Sequence, residues 1–266
     1  MKEQITSETL LILKLFWYIL ISPITIIQII LRKKEPSELF RPIQEIIIFL
    51  FEAKFTITIV IINILIFFGL PFIFPDLLNS LILRPSDLLQ FKFYTLITAG
   101  FLHANILHLL GNMLGILIFG RVVEEEFGTM KTALIYFGAL IISSLFSSLI
   151  HLYILKDNTA AVGASGALMG LIATAILIKP FYLSYEFLFP MPIMVYGWLA
   201  ILADITGLIN PIEDGIGHYA HLAGFLSVVF LVFIFDKEER AKLNKGFVIN
   251  IFSILAVLAV LKWIVL

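Results

Sequence analysis

The sequence predicts an all-α protein, a polytopic bundle of transmembrane helices, and three observations carry that expectation. Apolar residues make up 61% of the 266 and charged residues only 14%, a balance that leaves too few charges to cover a water-soluble globule. The apolar residues gather in runs of about 20, the length of helix that crosses a hydrocarbon core. Lipid offers no water to free backbone groups, so such runs must be helical. Lys and Arg, finally, sit in short clusters between the runs.

Composition also narrows function. The chain has no cysteine, which removes disulfide frameworks, thiolate nucleophiles and Cys-ligated metal sites. A net charge of −1 offers no basic field for nucleic acid. No cofactor motif is present, and none is expected.

Along the chain, the first candidate element is the apolar stretch 9–31, interrupted by Lys14, Pro23 and Gln28. It is too long for a signal-peptide core, Glu3 and Glu8 precede it, and no small-residue cleavage site is present, so no removed leader is expected. It either spans the membrane or lies in the interface as a bent helix joined to the apolar stretch 46–51. Seven firmer spans follow at 55–74, 104–119, 132–155, 162–178, 189–208, 220–235 and 247–266. The implied division is an N-terminal extension (1–53), a six-span core (54–235) and a cytoplasmic linker with a seventh span (236–266).

Alternating the connections of the seven spans puts Arg32, Lys33, Lys34, Arg41, Lys54, Arg121, Lys131, Lys179, Lys237, Arg240, Lys242 and Lys245 on one side. Arg84, Lys92 and Lys156 fall on the other. The positive-inside rule makes the richer side cytoplasmic. His103, His108, Ser165, His218 and His221 then all lie near the outer ends of their spans, so polar groups far apart in sequence converge on one leaflet.

The fourth span opens with Gly163-Ala-Ser165-Gly166-Ala-Leu-Met169-Gly170. The first N–H groups of a helix have no intrahelical partner and its dipole is positive there, a setting that favours an oxyanion beside Ser165. Gly163 and Gly166 permit unusual dihedrals and close approach of a substrate, and Gly166 with Gly170 makes a small-residue contact face. Alone, the plainer reading of the string is a helix-packing motif with an N-terminal serine cap, because small residues are common in membrane helices.

In the sixth span His218 and His221 share one helical face, with Ala220 and Gly224 as a second small-residue strip. If the two strips meet, a histidine can take the proton of Ser165. The plainer reading is a membrane histidine bonded to a backbone carbonyl, although ionisable groups within spans are costly enough to mark function. At the start of the second span His108 and Asn112 stand at i, i+4, and side-chain donors aimed into a buried site are what a tetrahedral intermediate requires. Interhelical hydrogen bonding is the alternative use of the same residues. His103, about 140° around an ideal helix from His108, is assigned to shaping the preceding loop.

Together these elements resemble the rhomboid family of intramembrane serine proteases, through His108-Leu-Leu-Gly-Asn112, Gly163-Ala-Ser165-Gly166 and Ala220-His221-Leu-Ala-Gly224, in the family's order and over residues 54–235. The resemblance implies Ser165 as nucleophile, His221 as general base, and His108 and Asn112 with the Ser165 N–H as oxyanion donors. His218 would be a neighbour, and Glu124 would take the place of the family's structural glutamate. Three departures stand out: Tyr94-Thr95 where many members have Trp-Arg, Met169 where many have an aromatic ring against the histidine, and Val228 in place of a later glycine. Single-span membrane proteins would be the substrates, cut in or near their transmembrane helices at a site open to the extracytoplasmic side of a prokaryotic cell membrane. No spacing ties Asp204, Glu213 or Asp214 to His221, so the sequence reads as a dyad.

Two other classes remain alongside. A catalytically inactive rhomboid-like protein would bind membrane clients without cutting them, and a small-solute transporter also uses midspan histidines and broken helices. No inverted repeat supports the transporter. A zinc protease lacks its His-Glu-x-x-His, and an intramembrane aspartyl protease lacks a second membrane aspartate.

Overall fold

The computed structural model describes residues 7–184, 191–210 and 215–265, and most of them are helical. Glu3, Glu213 and Asp214, named above, and the span bounds at residues 189 and 266 lie outside the described residues. The main helices are α1 (Ser7–Ile30), α2 (Arg41–Glu52), α3 (Lys54–Ile73), α4 (Ile106–Gly115), α5 (Arg121–Ile150), α6 (Ser165–Ile178), α7 (Ile193–Ile209), α8 (His218–Phe230) and α9 (Lys237–Val265). Two-residue strands, Leu183–Ser184 and Met191–Pro192, pair antiparallel between α6 and α7.

The bundle is apolar outside as well as inside: Phe72, Leu107 and Trp263 are among many large side chains left exposed. So many large apolar side chains on the outside face lipid, and the chain is an integral membrane protein. Helix α1 is long and apolar enough to cross a membrane, and its Lys14 pairs with Glu45 of α2 at 2.9 Å. Helix α2 starts with Pro42 in its first turn, where a missing N–H costs nothing.

The second span runs further than its hydropathy. Helix α4 continues through a π turn, Ile116–Gly120, directly into α5, whose first turns carry Arg121 and Glu124. These charges suggested a loop after residue 119. They stay helical and buried because each has partners: Arg121 bonds Glu125 at 2.9 Å and Glu52 at 2.6 Å, and its guanidinium lies 3.5 Å over the Phe49 ring. The chain turns only at Gly128, whose φ of 77° suits glycine, and the third span then runs on to a π turn, His151–Leu155.

Helix α6 sits at the centre. Ala167, Leu171, Ala173 and Ala175 are wholly buried on different faces, the mark of a helix surrounded by others. Lipid is as apolar as leucine, so close packing and interhelical hydrogen bonds hold such a helix. Gly115 of α4 admits the Leu168 side chain, and a Cβ there would lie 2.7 Å from it. The last helix, α9, is clamped on by Asn250, which donates to the Ile176 carbonyl at 2.8 Å and accepts from Trp198 at 2.8 Å. Gly246 lets the α9 backbone lie against the Leu177 carbonyl.

Charged groups from several helix ends meet at one end of the bundle. Lys179 reaches Glu125 and Glu126 at 3.8 and 3.6 Å, Lys242 reaches Glu126 at 2.6 Å, and Lys131 pairs with Glu239. This is the end to which alternating connections assigned the twelve basic residues. The histidines and Ser165 are at the other.

Candidate active site

Ser165 is the first residue of α6, and the turn that delivers it is held from two sides. The Gly163 N–H donates to the Ala99 carbonyl at 2.9 Å, and Ala161 and Leu83 form an isolated antiparallel bridge, so the long connection after α3 braces the approach to the serine. Gly163 has a φ of 123°, outside the range that side chains tolerate. Space forbids a side chain as firmly: a Cβ on Gly163 would lie 2.7 Å from His108 Nε2 and 3.7 Å from Asn112 Nδ2. The ends of both donors therefore gather over the turn two residues before Ser165.

Helix α4 presents those donors. Its N-cap is Asn105, whose side chain accepts the His108 N–H at 2.9 Å and fixes the first turn. The ring of His108 receives the Ala104 N–H at Nδ1, 3.4 Å away. A nitrogen that accepts has no proton, so the other, Nε2, carries it and points its N–H at the site. Asn112 gives one amide hydrogen to the His108 carbonyl at 3.0 Å and keeps the other.

His103 lies in the loop just before α4, its ring edge-on to His108 with centroids 5.1 Å apart. Neither of its ring nitrogens, both buried, has a partner among the described residues. Burial pushes its pKa from the ordinary 6.5 down to about 4, so the ring is neutral at physiological pH.

The two small-residue strips do meet. A Cβ on Gly224 of α8 would collide with the Gly166 carbonyl oxygen, and one on Gly166 would collide with Ser143 of α5. Gly170 packs against Ala139 and lies 3.4 Å, measured from its own absent Cβ, from the Gly224 carbonyl oxygen. This contact sets α8 beside the start of α6, and His221 stands one turn before Gly224 on α8. No hydrogen bond joins Ser165 to His221 among the described residues. Met169 is buried in the core on α6, and Val228 packs against the same core. Thr95, where many members of the resembled family carry arginine, is buried and donates to the Lys92 carbonyl at 2.8 Å.

Glu124 is a helix cap supplied from a distance. The residues before α3, Glu52-Ala53, give it no side-chain cap. The buried Glu124 carboxylate instead accepts the Phe55 and Thr56 N–H groups at 2.8 and 2.9 Å, the Thr56 hydroxyl at 2.9 Å and the Thr129 hydroxyl at 2.8 Å.

A family model described as the Rhomboid domain matches residues 90–238, more than half of the chain. The chain belongs to the rhomboid family. It is 30% identical over 199 residues to the rhomboid protease AarA of Providencia stuartii, covering 64% of this chain and 68% of that one. It is 32% identical over 163 residues to the chloroplastic rhomboid-like protein 11 of Arabidopsis thaliana, covering 57% and 56%. Rhomboid-like protease 3 of Toxoplasma gondii is 33% identical over 154 residues, covering 56% and 54%. The chain thus spans about half the length of the Arabidopsis and Toxoplasma rhomboids.

Sequence spacing missed one residue. Asp204 of α7, 4% exposed, accepts from Nδ1 of His221 at 2.8 Å and from Nδ1 of His218 at 2.9 Å, both at the same oxygen. These separations of 17 and 14 residues carry no signal of contact, because the partners are on different helices. The available signal was a lone aspartate within a span, which is costly unless paired. Among the described residues no cluster of histidines and carboxylates is placed to hold a metal ion; here the imidazoles bond the carboxylate directly.

Proposed function

We propose that this rhomboid is an intramembrane serine endopeptidase that cuts single-span membrane proteins in or near their transmembrane helices. The observation that carries the reading is the close contact of Gly224 with Gly166, which sets the His221 helix against the helix that Ser165 begins, under the His108 and Asn112 donors. Those are the parts an acyl transfer needs: a nucleophile, a base beside it, and donors where negative charge develops.

In this reading Ser165 Oγ attacks the scissile carbonyl as its proton passes to His221 Nε2. The tetrahedral oxyanion is met by the Ser165 N–H at the positive end of α6, by His108 Nε2–H and by the second Asn112 amide hydrogen. Collapse of the intermediate expels the amine, which takes the proton from His221. A water then repeats the sequence on the acyl-enzyme. A helical substrate hides its carbonyls, so cleavage calls for a segment that unwinds at the site, and helix-weakening residues mark it.

The site lies at the end of the bundle opposite the lysine-rich end, which by the positive-inside rule makes it extracytoplasmic. The relatives include chloroplastic and mitochondrial rhomboid-like proteins of Arabidopsis thaliana, so the family implies a bilayer and not a particular compartment.

The test is labelling of the purified protein with a fluorophosphonate, with the adduct located by mass spectrometry. An adduct on Ser165 that disappears in His221→Ala supports the reading. A folded protein that takes no label at Ser165 would instead be a rhomboid that binds membrane clients without cutting them.

A further inference from the structure

We propose that Asp204 is a positioning residue for His221, making the catalytic unit a chain of three groups, Ser165, His221 and Asp204, held in place by His218. The proposal rests on the serine-protease reading above and adds a residue to it. Its basis is the shared acceptor: one oxygen of a buried carboxylate receives Nδ1 of both histidines, at 2.8 and 2.9 Å.

A carboxylate only accepts, so each neutral imidazole bonded to it must carry its proton on Nδ1. For His221 this leaves the Nε2 lone pair free, and that is the atom a base toward Ser165 uses. Without the aspartate nothing described on α7 selects this tautomer or stops the ring from turning. When His221 takes the serine proton, an imidazolium forms 2.8 Å from a buried negative charge, where attraction is stronger than in water. The proton stays on Nε2 and goes on to the leaving amine; Nδ1 keeps its own, and Asp204 stays ionised throughout.

His218 has a defined part in this arrangement. Its ring occupies a notch in α7 opened by Gly207, where any Cβ would collide with the imidazole. Gly207 stands one turn after Asp204, so α7 presents a carboxylate and, beside it, the gap that receives the second donor. Two donors from successive turns of one face of α8 hold the Asp204 oxygen in place, and a buried carboxylate with two charge-assisted hydrogen bonds is tolerable where an unpaired one is not.

A clip between α7 and α8 with no catalytic role would show the same distances, so the test must separate the two. In detergent, with a single-span peptide substrate, Asp204→Asn should lower kcat by about 10²- to 10⁴-fold with KM within about twofold, because the amide no longer dictates the tautomer. Fluorophosphonate labelling should slow by a similar factor and still fall on Ser165. An Asp204→Asn protein with kcat within about twofold of wild type would overturn the proposal while leaving the serine assignment intact; turnover by Ser165→Ala would overturn the serine assignment itself. Should Asp204→Asn not fold, the wild-type protein decides: nitrogen NMR of ¹⁵N-histidine-labelled protein should find His221, assigned by its loss in His221→Gln, protonated on Nδ1. Protonation on Nε2 instead would sink the proposal.

Discussion

Gly224 of α8 meets Gly166 of α6 backbone to backbone: a Cβ added to Gly224 would sit 2.9 Å from the Gly166 carbonyl carbon and 3.1 Å from its Cα, and closer still to the oxygen. Backbone cannot rotate away as a side chain can. Gly224→Ala should therefore push α8 off α6 and lower turnover by about 10²-fold, the scale of a displacement of about 1 Å at a reacting pair. Gly166→Ala meets the Ser143 side chain instead, with Ser143 Cβ 2.7 Å away. Ser143→Gly should rescue Gly166→Ala and leave Gly224→Ala unrescued, in steady-state cleavage assays on the four proteins.

Removing Glu124 should unfold the start of α3. Glu124→Ala strands two backbone N–H groups and two hydroxyls that the carboxylate now satisfies. Buried unsatisfied groups cost about 1–3 kcal/mol each when nothing replaces the partner, and some relaxation offsets the sum. Thermal unfolding in detergent should show a large loss of stability, with Glu124→Gln intermediate because its amide keeps only one accepting oxygen.

Stability should fall in acid through His103. Its pKa is about 4 in the folded protein against an ordinary 6.5, so between those values the unfolded chain binds the proton and the folded one does not. Stability from this group is complete above 6.5 and is lost as the pH falls toward 4. The melting temperature of His103→Phe, followed over that window, should fall less steeply than that of wild type.

The oxyanion donors should affect rate more than binding. His108→Ala and Asn112→Ala should each lower kcat by about 10- to 1000-fold with little change in KM. Gly163→Ala should act on the same step, because its Cβ would drive the His108 ring from a position 2.6 Å away. Kinetics on the three variants separate this from a loss of substrate affinity.

Much of the architecture was legible because it depends on local composition. Runs of apolar residues located the spans, and the Gly166/Gly170 and Ala220/Gly224 strips indicated which helices approach closely. What escaped was set by pairing across the chain. The second span outran its hydropathy because Arg121 found Glu52, Glu125 and the Phe49 ring, and a charge with such partners no longer marks a helix end. Glu124 was placed by resemblance, while its task, capping a helix that begins about 70 residues earlier, appears only in three dimensions. Asp204 was visible as a lone membrane aspartate, yet its bond to His221 depends on how α7 lies against α8.

The most direct test of the account is cleavage of a single-span substrate in proteoliposomes containing only the purified protein and lipid. Wild type should cut within or beside the substrate's transmembrane segment, and Ser165→Ala and His221→Ala, shown to be folded by unchanged melting, should lose nearly all of that activity. Undiminished cleavage by Ser165→Ala would contradict the account at its centre.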